Sequence, residues 1–248
     1  MRIIVVGASS GLGRCIGIGL AQRGARVALL ARRRDMLDAA AKEAGGDALA
    51  IACDVTDEAS IATAVGEAVS GLGGVDALVY ATGVAPLGPI QETDADAWRW
   101  TFDTNVVGAA RVTAAALDAL RESHGVAIYL SSVSASLTAP WPGLAAYTVS
   151  KAALDKMVEA WRTEHPSIGF TRLVVGDCVG GEGDGMTQFA NAWDPELAGT
   201  MSMQWFESGL ISGSFIDVDH LAAVVDSIAR AGGSVAMPTV TLTPRPSA

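Results

Sequence analysis

Short runs of β-branched and other apolar residues alternate with longer amphipathic stretches along almost the whole chain. Strands that are apolar throughout are typical of sheets that are covered on both faces. A strand, a helix and a further strand in succession form a right-handed crossover between parallel strands. The alternation therefore predicts the α/β class, with a doubly wound, parallel, seven-stranded Rossmann sheet and helices on both of its faces.

The periodicity of the apolar residues and the turn residues between them give the boundaries of these elements. The predicted strands are Arg2–Val6, Arg26–Leu30, Ala48–Ala52, Ala77–Tyr80, Val126–Ser131, Phe170–Val175 and Val235–Leu242. The predicted helices are Leu12–Arg23, Asp35–Ala44, Asp57–Ser70, Ala95–Ser123, Leu144–Glu164 and Val218–Ala231. Residues Gly176–Gly213 are predicted to be irregular. No change of composition marks a linker, so we predict one domain over residues 1–248.

The composition excludes several classes of protein. Half of the 248 residues are apolar, which suits a globular interior, and no apolar run approaches the roughly 18 residues that span a bilayer. Gly7 interrupts the apolar start too early for a signal peptide, so we expect a cytoplasmic protein that does not bind membranes. A net charge of −10 does not suit nucleic acid. The three cysteines and three histidines lack ligand spacing, so no metal is predicted.

A glycine-rich turn follows the first predicted strand and leads into the first predicted helix. It reads Gly7-Ala8-Ser9-Ser10-Gly11-Leu12-Gly13. Glycines permit a tight turn and let the backbone approach a pyrophosphate, which the N–H groups and positive dipole end of the helix then attract. The position in the first strand–helix–strand unit is the one that dinucleotide-binding turns occupy. The pattern predicts a dinucleotide site at this turn; the alternative is a turn that serves packing only.

The end of the second strand indicates which dinucleotide is bound. A carboxylate at this place usually binds the ribose hydroxyls of the cofactor. The sequence here is Ala31-Arg32-Arg33-Arg34, and guanidinium groups form fork-shaped, charge-assisted contacts with a 2′-phosphate. Arg32 and Arg33 therefore favour NADP(H). The alternative is a solvated basic start of a helix.

A tyrosine and a lysine with helical spacing supply a candidate for proton transfer. Tyr147 and Lys151 are four residues apart and share one helix face. A nearby ammonium group favours the phenolate, so we expect a lowered pKa for Tyr147, which could then exchange a proton with an alkoxide or alcohol. A serine after the fifth strand, Ser132, could hold the carbonyl oxygen. Such pairs also occur by chance on surfaces.

Taken together, these residues resemble the compact branch of the short-chain dehydrogenase/reductase family over about Arg2–Val175. Gly7, Gly11 and Gly13 match the cofactor turn of that family, with Ser9, Ser10 and Leu12 inside it. The resemblance implies that Asp54 and Val55, after the third strand, hold the adenine ring. It also implies that Ala81, Thr82 and Gly83, after the fourth strand, line the cofactor site.

The resemblance extends to the catalytic residues. Ser132, Tyr147 and Lys151 match the catalytic positions of the family, and Asn105 matches an asparagine that supports a water-linked proton relay to the lysine. Lys151 is implied to bind the nicotinamide ribose as well. The expected activity is hydride transfer between NADP(H) and a carbonyl or secondary alcohol.

Three places depart from the family pattern. Tyr80-Ala81-Thr82-Gly83 replaces the usual Asn-Asn-Ala-Gly. The 15 positions from Ser132 to Tyr147 are slightly more than is common, which leaves Ser134 as an alternative to Ser132. The Pro-Gly expected after the sixth strand is replaced by Gly176-Asp177-Cys178, so that Asp177 either shapes substrate choice or only forms a turn.

Residues 183–215 are expected to form a substrate lid. Its apolar members are Met186, Phe189, Trp193, Met201, Met203, Trp205 and Phe206. They suit an apolar carbonyl or alcohol substrate, although they could equally pack the lid onto the core or line a subunit contact. Glu182, Asp184 and Asp177 disfavour anionic substrates.

The resemblance also implies a homodimer or homotetramer that forms through the long helices, and the alanine-rich stretch Val106–Leu120 is compatible with close packing.

Two other functions stay open. An NADP(H)-sensing module would lack catalysis, and an epimerase would use transient oxidation.

Overall fold

The computed structural model describes residues 1–180, 188–190 and 192–245. Seven strands form a single sheet, in which every neighbouring pair is parallel. Their order across the sheet is β3-β2-β1-β4-β5-β6-β7. The strands are β1 (Arg2–Val6), β2 (Arg26–Ala31), β3 (Leu49–Ala52), β4 (Ala77–Tyr80), β5 (Val126–Ser132), β6 (Gly169–Val175) and β7 (Thr239–Leu242). The predicted fold class is confirmed.

Nine α-helices connect or flank these strands in the described part of the chain. They are α1 (Gly11–Gln22), α2 (Arg34–Ala44), α3 (Glu58–Leu72), α4 (Ala95–Phe102), α5 (Gly108–Ser123), α6 (Val133–Ser136), α7 (Ala145–Glu164), α8 (Pro195–Glu207) and α9 (Val218–Ala231). None of the described helices is long and apolar enough to pass through a lipid bilayer.

Two apolar cores sandwich the sheet, because successive side chains of each strand point to opposite faces. On one face, Ile4 and Val6 of β1 share a core with α3, α5 and α7. On the other face, Ile3 and Val5 of the same strand share a core with α1, α2 and α9. Burial on both faces leaves only the ends of the strands accessible to a ligand.

The structure corrects the prediction that Gly176–Gly213 is irregular. A 3₁₀ turn spans Gln188–Ala190, and α8 follows it. The Asp194 carboxylate caps α8 by accepting a hydrogen bond from the N–H of Leu197, and Pro195 occupies the first turn. This acid–proline start is an ordinary helix signal, but the surrounding glycines and the weak apolar periodicity obscured it.

Two other predicted elements differ in detail. The helix predicted over Ala95–Ser123 is one continuous rod in which a π-helical turn, Asp103–Val107, separates α4 from α5. The last strand is shorter than predicted, because the chain before Thr239 runs as a turn and loop. Both differences depend on hydrogen-bond pairing, which residue periodicity does not report.

Helix α1 lies unusually close to the end of β1. A Cβ atom at Gly13 would overlap the carbonyl oxygen of Gly7, which is backbone and has little freedom to move. Glycine is therefore required at position 13 for the helix to begin where it does.

We expect Gly13→Ala to lower the free energy of unfolding by about 1–3 kcal/mol, the usual cost of overpacking. Gly66→Ala is the matched control, because Gly66 lies in the middle of α3 and a Cβ there meets nothing within 4 Å. That change should raise stability by about 0.5–1 kcal/mol. Urea unfolding measures both variants, and equal stabilities would contradict the close contact.

Candidate active site

A cavity of about 770 Å³ opens at the carboxyl ends of the parallel strands. This is the edge at which ligands bind in open α/β sheets, and the volume is that of a site for a large small molecule. Of the predicted site residues, Asn105 is the one that does not line the cavity. The others line it: Gly7, Ser9, Ser10, Gly11, Leu12, Gly13, Arg32, Arg33, Asp54, Val55, Ala81, Thr82, Gly83, Ser132, Tyr147 and Lys151.

The glycine turn presents the N-terminus of α1 to this cavity. Ser10, the residue before the helix, is extended, and its side chain makes no capping hydrogen bond. No acidic residue occupies the first turn of α1. The first N–H groups of the helix and its positive dipole end therefore face the cavity without a side-chain acceptor, which is the arrangement of an anion site.

The two predicted arginines lie at the end of the cavity beside this turn. The Arg33 guanidinium donates hydrogen bonds to the hydroxyls of Ser9 (2.9 Å) and Ser10 (2.6 Å), whereas the Arg32 side chain is exposed. Asp54 lines the same end of the cavity, near enough to Arg32 for the two charges to interact. Partial burial opposes its ionisation, but hydrogen bonds from Thr56 and the charge of Arg32 together hold the pKa of Asp54 below its usual range. This end of the site is polar and carries both signs of charge.

The proton-transfer candidates meet at the other end of the cavity. Tyr147 lies in the first turn of α7, and Ser132 ends β5. The Lys151 ammonium is buried, donates a hydrogen bond to the carbonyl oxygen of Leu130 (2.7 Å) and lies 5.7 Å from the centre of the Tyr147 ring. The spacing of four residues on one helix face thus brings the two side chains together.

The expectation of a lowered pKa for Tyr147 is wrong in this structure. Burial disfavours the phenolate and raises the pKa of Tyr147 to about 12, although the nearby Ser132 hydroxyl opposes the shift. Burial likewise lowers the pKa of Lys151 to about 8, and the nearby Asp155 carboxylate opposes that shift. The two side chains do lie on one helix face, but desolvation is the largest influence on the pKa of each.

The two candidate serines have different surroundings. The Ser132 hydroxyl is close enough to Tyr147 to lower its pKa, and it lies 3.0 Å from the Ser134 hydroxyl. Ser134 is buried, and its other contact is a long one, 3.4 Å, with the Thr148 hydroxyl. Ser132 is therefore the serine that reaches the tyrosine, as its place at the end of the strand suggested.

Asn105 sits behind the cavity wall, inside the π-helical turn. Its side chain is fully buried, accepts a hydrogen bond from the N–H of Val84 (2.8 Å) and donates to the carbonyl oxygen of Val84 (3.0 Å) and to the Ser150 hydroxyl (2.9 Å). These bonds tie the segment after β4 to the residue that precedes Lys151. A proton relay from Asn105 to Lys151 would need a further molecule between the two side chains to carry the proton.

Tyr80 replaces an asparagine of the family pattern and has a bracing role of its own. The side chain is fully buried, and its hydroxyl donates a hydrogen bond to the carbonyl oxygen of Thr104 (2.6 Å). This hydrogen bond connects the end of β4 to the π-helical turn that carries Asn105. The brace is present although the residue differs.

Several wall residues were not predicted as part of the site. Trp141 and Leu144, between the serine and the tyrosine, line the cavity beside Phe189 and Trp193, which were predicted as lid residues. The only sequence signal of Trp141 and Leu144 is apolar character close to Tyr147. Asp177 also lines the cavity, and its carboxylate accepts a hydrogen bond from the N–H of Ser212 (3.2 Å). Burial raises the pKa of Asp177, and the bond with Ser212 opposes this.

Aromatic rings extend from Tyr147 into the predicted lid. Phe189 packs edge-on against Tyr147 with ring centres 5.0 Å apart, and Trp193 packs edge-on against Phe189 at 5.4 Å. Trp205 continues the row and is buried. Met203 and Phe206, also predicted as lid residues, are largely exposed. Met186, Glu182 and Asp184 lie outside the described residues.

The buried ammonium of Lys151 should make stability depend on pH. Its pKa in the folded chain, about 8, lies below the ordinary 10.5, so between these values the unfolded chain binds more protons and stability rises with pH. Below about pH 8 the charged ammonium is buried in every folded molecule, and the full cost to the free energy of unfolding, on the order of 3 kcal/mol, is present.

We therefore predict that Lys151→Met gains most stability relative to the native chain at pH 7, and that this advantage shrinks steadily from pH 8 to 10.5. Urea unfolding of both chains across that range measures the difference. The variant also loses the hydrogen bond to Leu130, which changes its free energy of unfolding by the same amount at every pH. The test is therefore how the difference in free energy of unfolding between the two chains varies with pH. A difference that does not vary with pH would contradict the burial of a charged Lys151.

The sequence and the fold match known proteins. Residues 1–180 match the short chain dehydrogenase family. A short chain dehydrogenase of Pseudocercospora fijiensis is 37% identical over 172 residues, 67% of this chain and 55% of that protein. 11-beta-hydroxysteroid dehydrogenase A of Sesamum indicum is 32% identical over 180 residues, 70% of this chain and 51% of that protein. The matched region thus spans about half the length of these two relatives.

Solved structures share the fold over nearly the whole chain. An alcohol dehydrogenase from Thermococcus sibiricus, complexed with 5-hydroxy-NADP, has a TM-score of 0.81 at 22% identity, with 99% of this chain and 98% of that chain covered. A 3-ketoacyl-(acyl-carrier-protein) reductase from Brucella melitensis, complexed with NADH, has a TM-score of 0.79 at 22% identity, with 97% and 95% covered. At these identities the likeness concerns the fold alone. Because the family match covers most of the chain, the resemblance predicted from its motifs is confirmed, and the chain belongs to the short-chain dehydrogenase/reductase family.

Proposed function

We propose that this chain is an NADP(H)-dependent oxidoreductase that transfers a hydride between the nicotinamide and a carbonyl or secondary alcohol carbon. The observation that carries the proposal is one cavity with two chemically different ends. The uncapped start of α1 lies at one end, and Ser132, Tyr147 and Lys151 lie together at the other. A dinucleotide has the same two ends, a phosphate-bearing part and a reactive ring.

The residues of the cavity fit such a cofactor. The N–H groups at the start of α1 suit the pyrophosphate, and Asp54 with Val55 suits the adenosine. Gly83 leaves room near the Lys151 ammonium, because a Cβ at Gly83 would lie 3.5 Å from Nζ. Lys151 is thus a candidate to bind the ribose. When bound, the cofactor supplies or accepts the hydride.

The protein's part in ketone reduction is to move a proton. As the hydride adds to the carbonyl carbon, Tyr147 gives its hydroxyl proton to the carbonyl oxygen, which Ser132 holds as a second donor. The raised pKa of Tyr147, about 12, keeps that proton in place at neutral pH, as a donor requires. Lys151 stabilises the tyrosinate that is left, and solvent returns the proton. Alcohol oxidation runs through the same steps in reverse.

The preference for NADP(H) rests on the basic end of the cavity. Arg33 is held against the glycine turn by Ser9 and Ser10, and Arg32 extends from the end of β2. Two guanidinium groups there suit a 2′-phosphate. The related folds include a complex with an NADP derivative and a complex with NADH, so the fold itself permits either cofactor.

We propose residues 183–215 as a substrate lid and an apolar carbonyl or alcohol as the substrate. The indole N–H groups of Trp193 and Trp205 donate to the carbonyl oxygens of Ala85 (2.7 Å) and Pro142 (2.8 Å). Since these polar groups are satisfied by backbone, Trp193 offers the cavity an apolar surface, as Phe189 does. Asp177 at the same wall disfavours an anionic substrate.

We also propose one Rossmann domain, a cytoplasmic location, and a homodimer or homotetramer. Apolar side chains on the outer faces of the long helices support the oligomer. They are Val107 in the π-helical turn, which is 48% exposed, and Val149 on α7, which is 46% exposed. Exposed apolar side chains that are close enough to form one patch often mark a contact between subunits.

Tyr147→Phe should lower kcat/KM for NADPH-dependent ketone reduction by about a hundredfold or more, because it removes only the proton donor. Tyr129→Phe is the matched control: that tyrosine is buried, and its hydroxyl bonds with Thr113 rather than with the site. NADPH oxidation over a panel of aryl, alkyl and carboxylate-bearing ketones measures both, with apolar ketones expected to be the better substrates. Tight NADPH binding with no turnover of any ketone would favour a sensor, and interconversion of epimers would favour an epimerase.

Arg32→Ala and Arg33→Ala should raise KM for NADPH by about tenfold or more, the usual effect of losing a charge-assisted hydrogen bond, and should change KM for NADH far less. Arg34→Ala is the matched control, because Arg34 pairs with Asp38 on the surface of α2. Initial rates with each cofactor measure the ratio. Equal effects on the two cofactors would remove the basis for an NADP(H) preference.

A further inference from the structure

One buried acidic side chain has no part in the reaction as described so far. Asp155 lies on α7, four residues after Lys151 and eight after Tyr147, so the three share one face of the helix. The residue is only 5% exposed. Its carboxylate oxygens accept no fully formed hydrogen bond from any residue that the structure describes. Burial makes a carboxylate in such a place costly and raises the pKa of Asp155, whereas the neighbouring charges of Arg172 and Lys151 oppose that shift.

The groups around Asp155 come from three elements. On α7 these are Lys151 and Glu159; on β6 the Arg172 guanidinium lies 3.8 Å away. On β5 the Ser131 side chain is close enough to the carboxylate to oppose the rise in its pKa, although the Ser131 hydroxyl makes no fully formed hydrogen bond with any described residue. Ser131 lies between Leu130, which accepts the hydrogen bond from Lys151, and Ser132, which lies close to Tyr147. Asp155 is therefore close to the proton-transfer site in two ways. It shares a face of α7 with Tyr147 and Lys151, and it lies near the strand β5 that carries Ser132.

The surroundings of Lys151 leave Asp155 as its nearby anion among the described residues. Its own helix contributes Tyr147 and Asp155, β5 contributes the Leu130 carbonyl, and the π-helical turn contributes the neutral Asn105. Arg172 on β6 is a further cation on the far side of Asp155. A buried ammonium without an anion would lose its proton at a lower pH and could no longer stabilise a tyrosinate.

We propose that Asp155 is a positioning residue of this site, whose carboxylate acts through Lys151 by keeping that side chain in its charged form. The role of the charge in catalysis rests on the function proposed above, whereas the coupling between the two side chains does not. A purely structural role is the competing explanation, in which Asp155 only ties α7 to β6 through Arg172. The two explanations differ in what happens to Lys151.

The chain contains three lysines, Lys42, Lys151 and Lys156, which makes a direct measurement practical. In the ligand-free chain with labelled lysine, NMR signals of the Cε and Nζ nuclei report each titration separately. We expect a Lys151 midpoint near pH 8 in the native chain. In Asp155→Asn it should fall by about half a pH unit or more, which is about a threefold loss of proton affinity.

Glu159→Gln is the matched control, because Glu159 contacts the same arginine, 3.4 Å from Arg172, but lies a further turn along the helix. It should leave the Lys151 midpoint almost unchanged. If Asp155→Asn is too unstable to measure, Asp155→Ser offers a smaller neutral replacement, and Asp155→Glu should restore the native midpoint. A Lys151 midpoint that stays in place in a folded, neutral variant at position 155 would overturn the proposal, even if that variant were less stable.

The same variants then test the consequence for activity. With NADPH and a reducible ketone, the alkaline limb of the pH profile of kcat/KM should move to lower pH in Asp155→Asn, and not in Glu159→Gln. A shifted titration in a chain that reduces no ketone would leave the coupling standing while the proposed function fails. A shifted titration with an unmoved alkaline limb in an active enzyme would overturn the catalytic part of the inference.

Discussion

The parallel direction of all seven strands is the constraint on which the rest of the molecule depends. Helices cover both faces of the sheet, so the strand ends are the places where polar groups can meet a ligand. Because the strands run the same way, the residues that follow β1, β2, β3, β4 and β5 come together at one edge. The glycine turn, the arginines, Asp54 and the proton-transfer group are neighbours for this reason, although they are distant in sequence.

The sequence predicted those features that depend on local chemistry. Gly7 and Gly13 could be assigned because a tight turn between strand and helix admits no side chain at either place. Tyr147 and Lys151 could be assigned because helical spacing places them on one face. The order of strands and helices could be predicted because the spacing of apolar residues along the chain is also a local property. Helix α8 was missed although Asp194 and Pro195 mark its start, since its apolar pattern is weak and glycines surround it.

What could not be predicted depends on burial, which is a property of the assembled fold. The pKa of Tyr147 was expected to fall through its neighbour Lys151, but burial raises it instead, and burial also lowers the pKa of Lys151. Asp155 carried no signal at all: an acidic residue in an amphipathic helix is usually solvated, and only the packing of α7 on β5 and β6 reveals that it is enclosed. Trp141 likewise becomes part of the cavity wall only through the assembled fold.

The π-helical turn between α4 and α5 holds one residue more than a regular helix would. Each α-helical residue advances the side-chain direction by about 100°, and a π turn absorbs one additional residue without passing that rotation on to the helix beyond it. Deleting a single residue from Asp103–Val107 would therefore return the turn to a regular helix and leave α4 and α5 facing the neighbours they have now. The deletion would instead change the turn itself, where the Asn105 side chain bonds with Val84 and Ser150. In this family member, the extra residue bears on the hydrogen bonds of one buried amide and not on the direction of the helix.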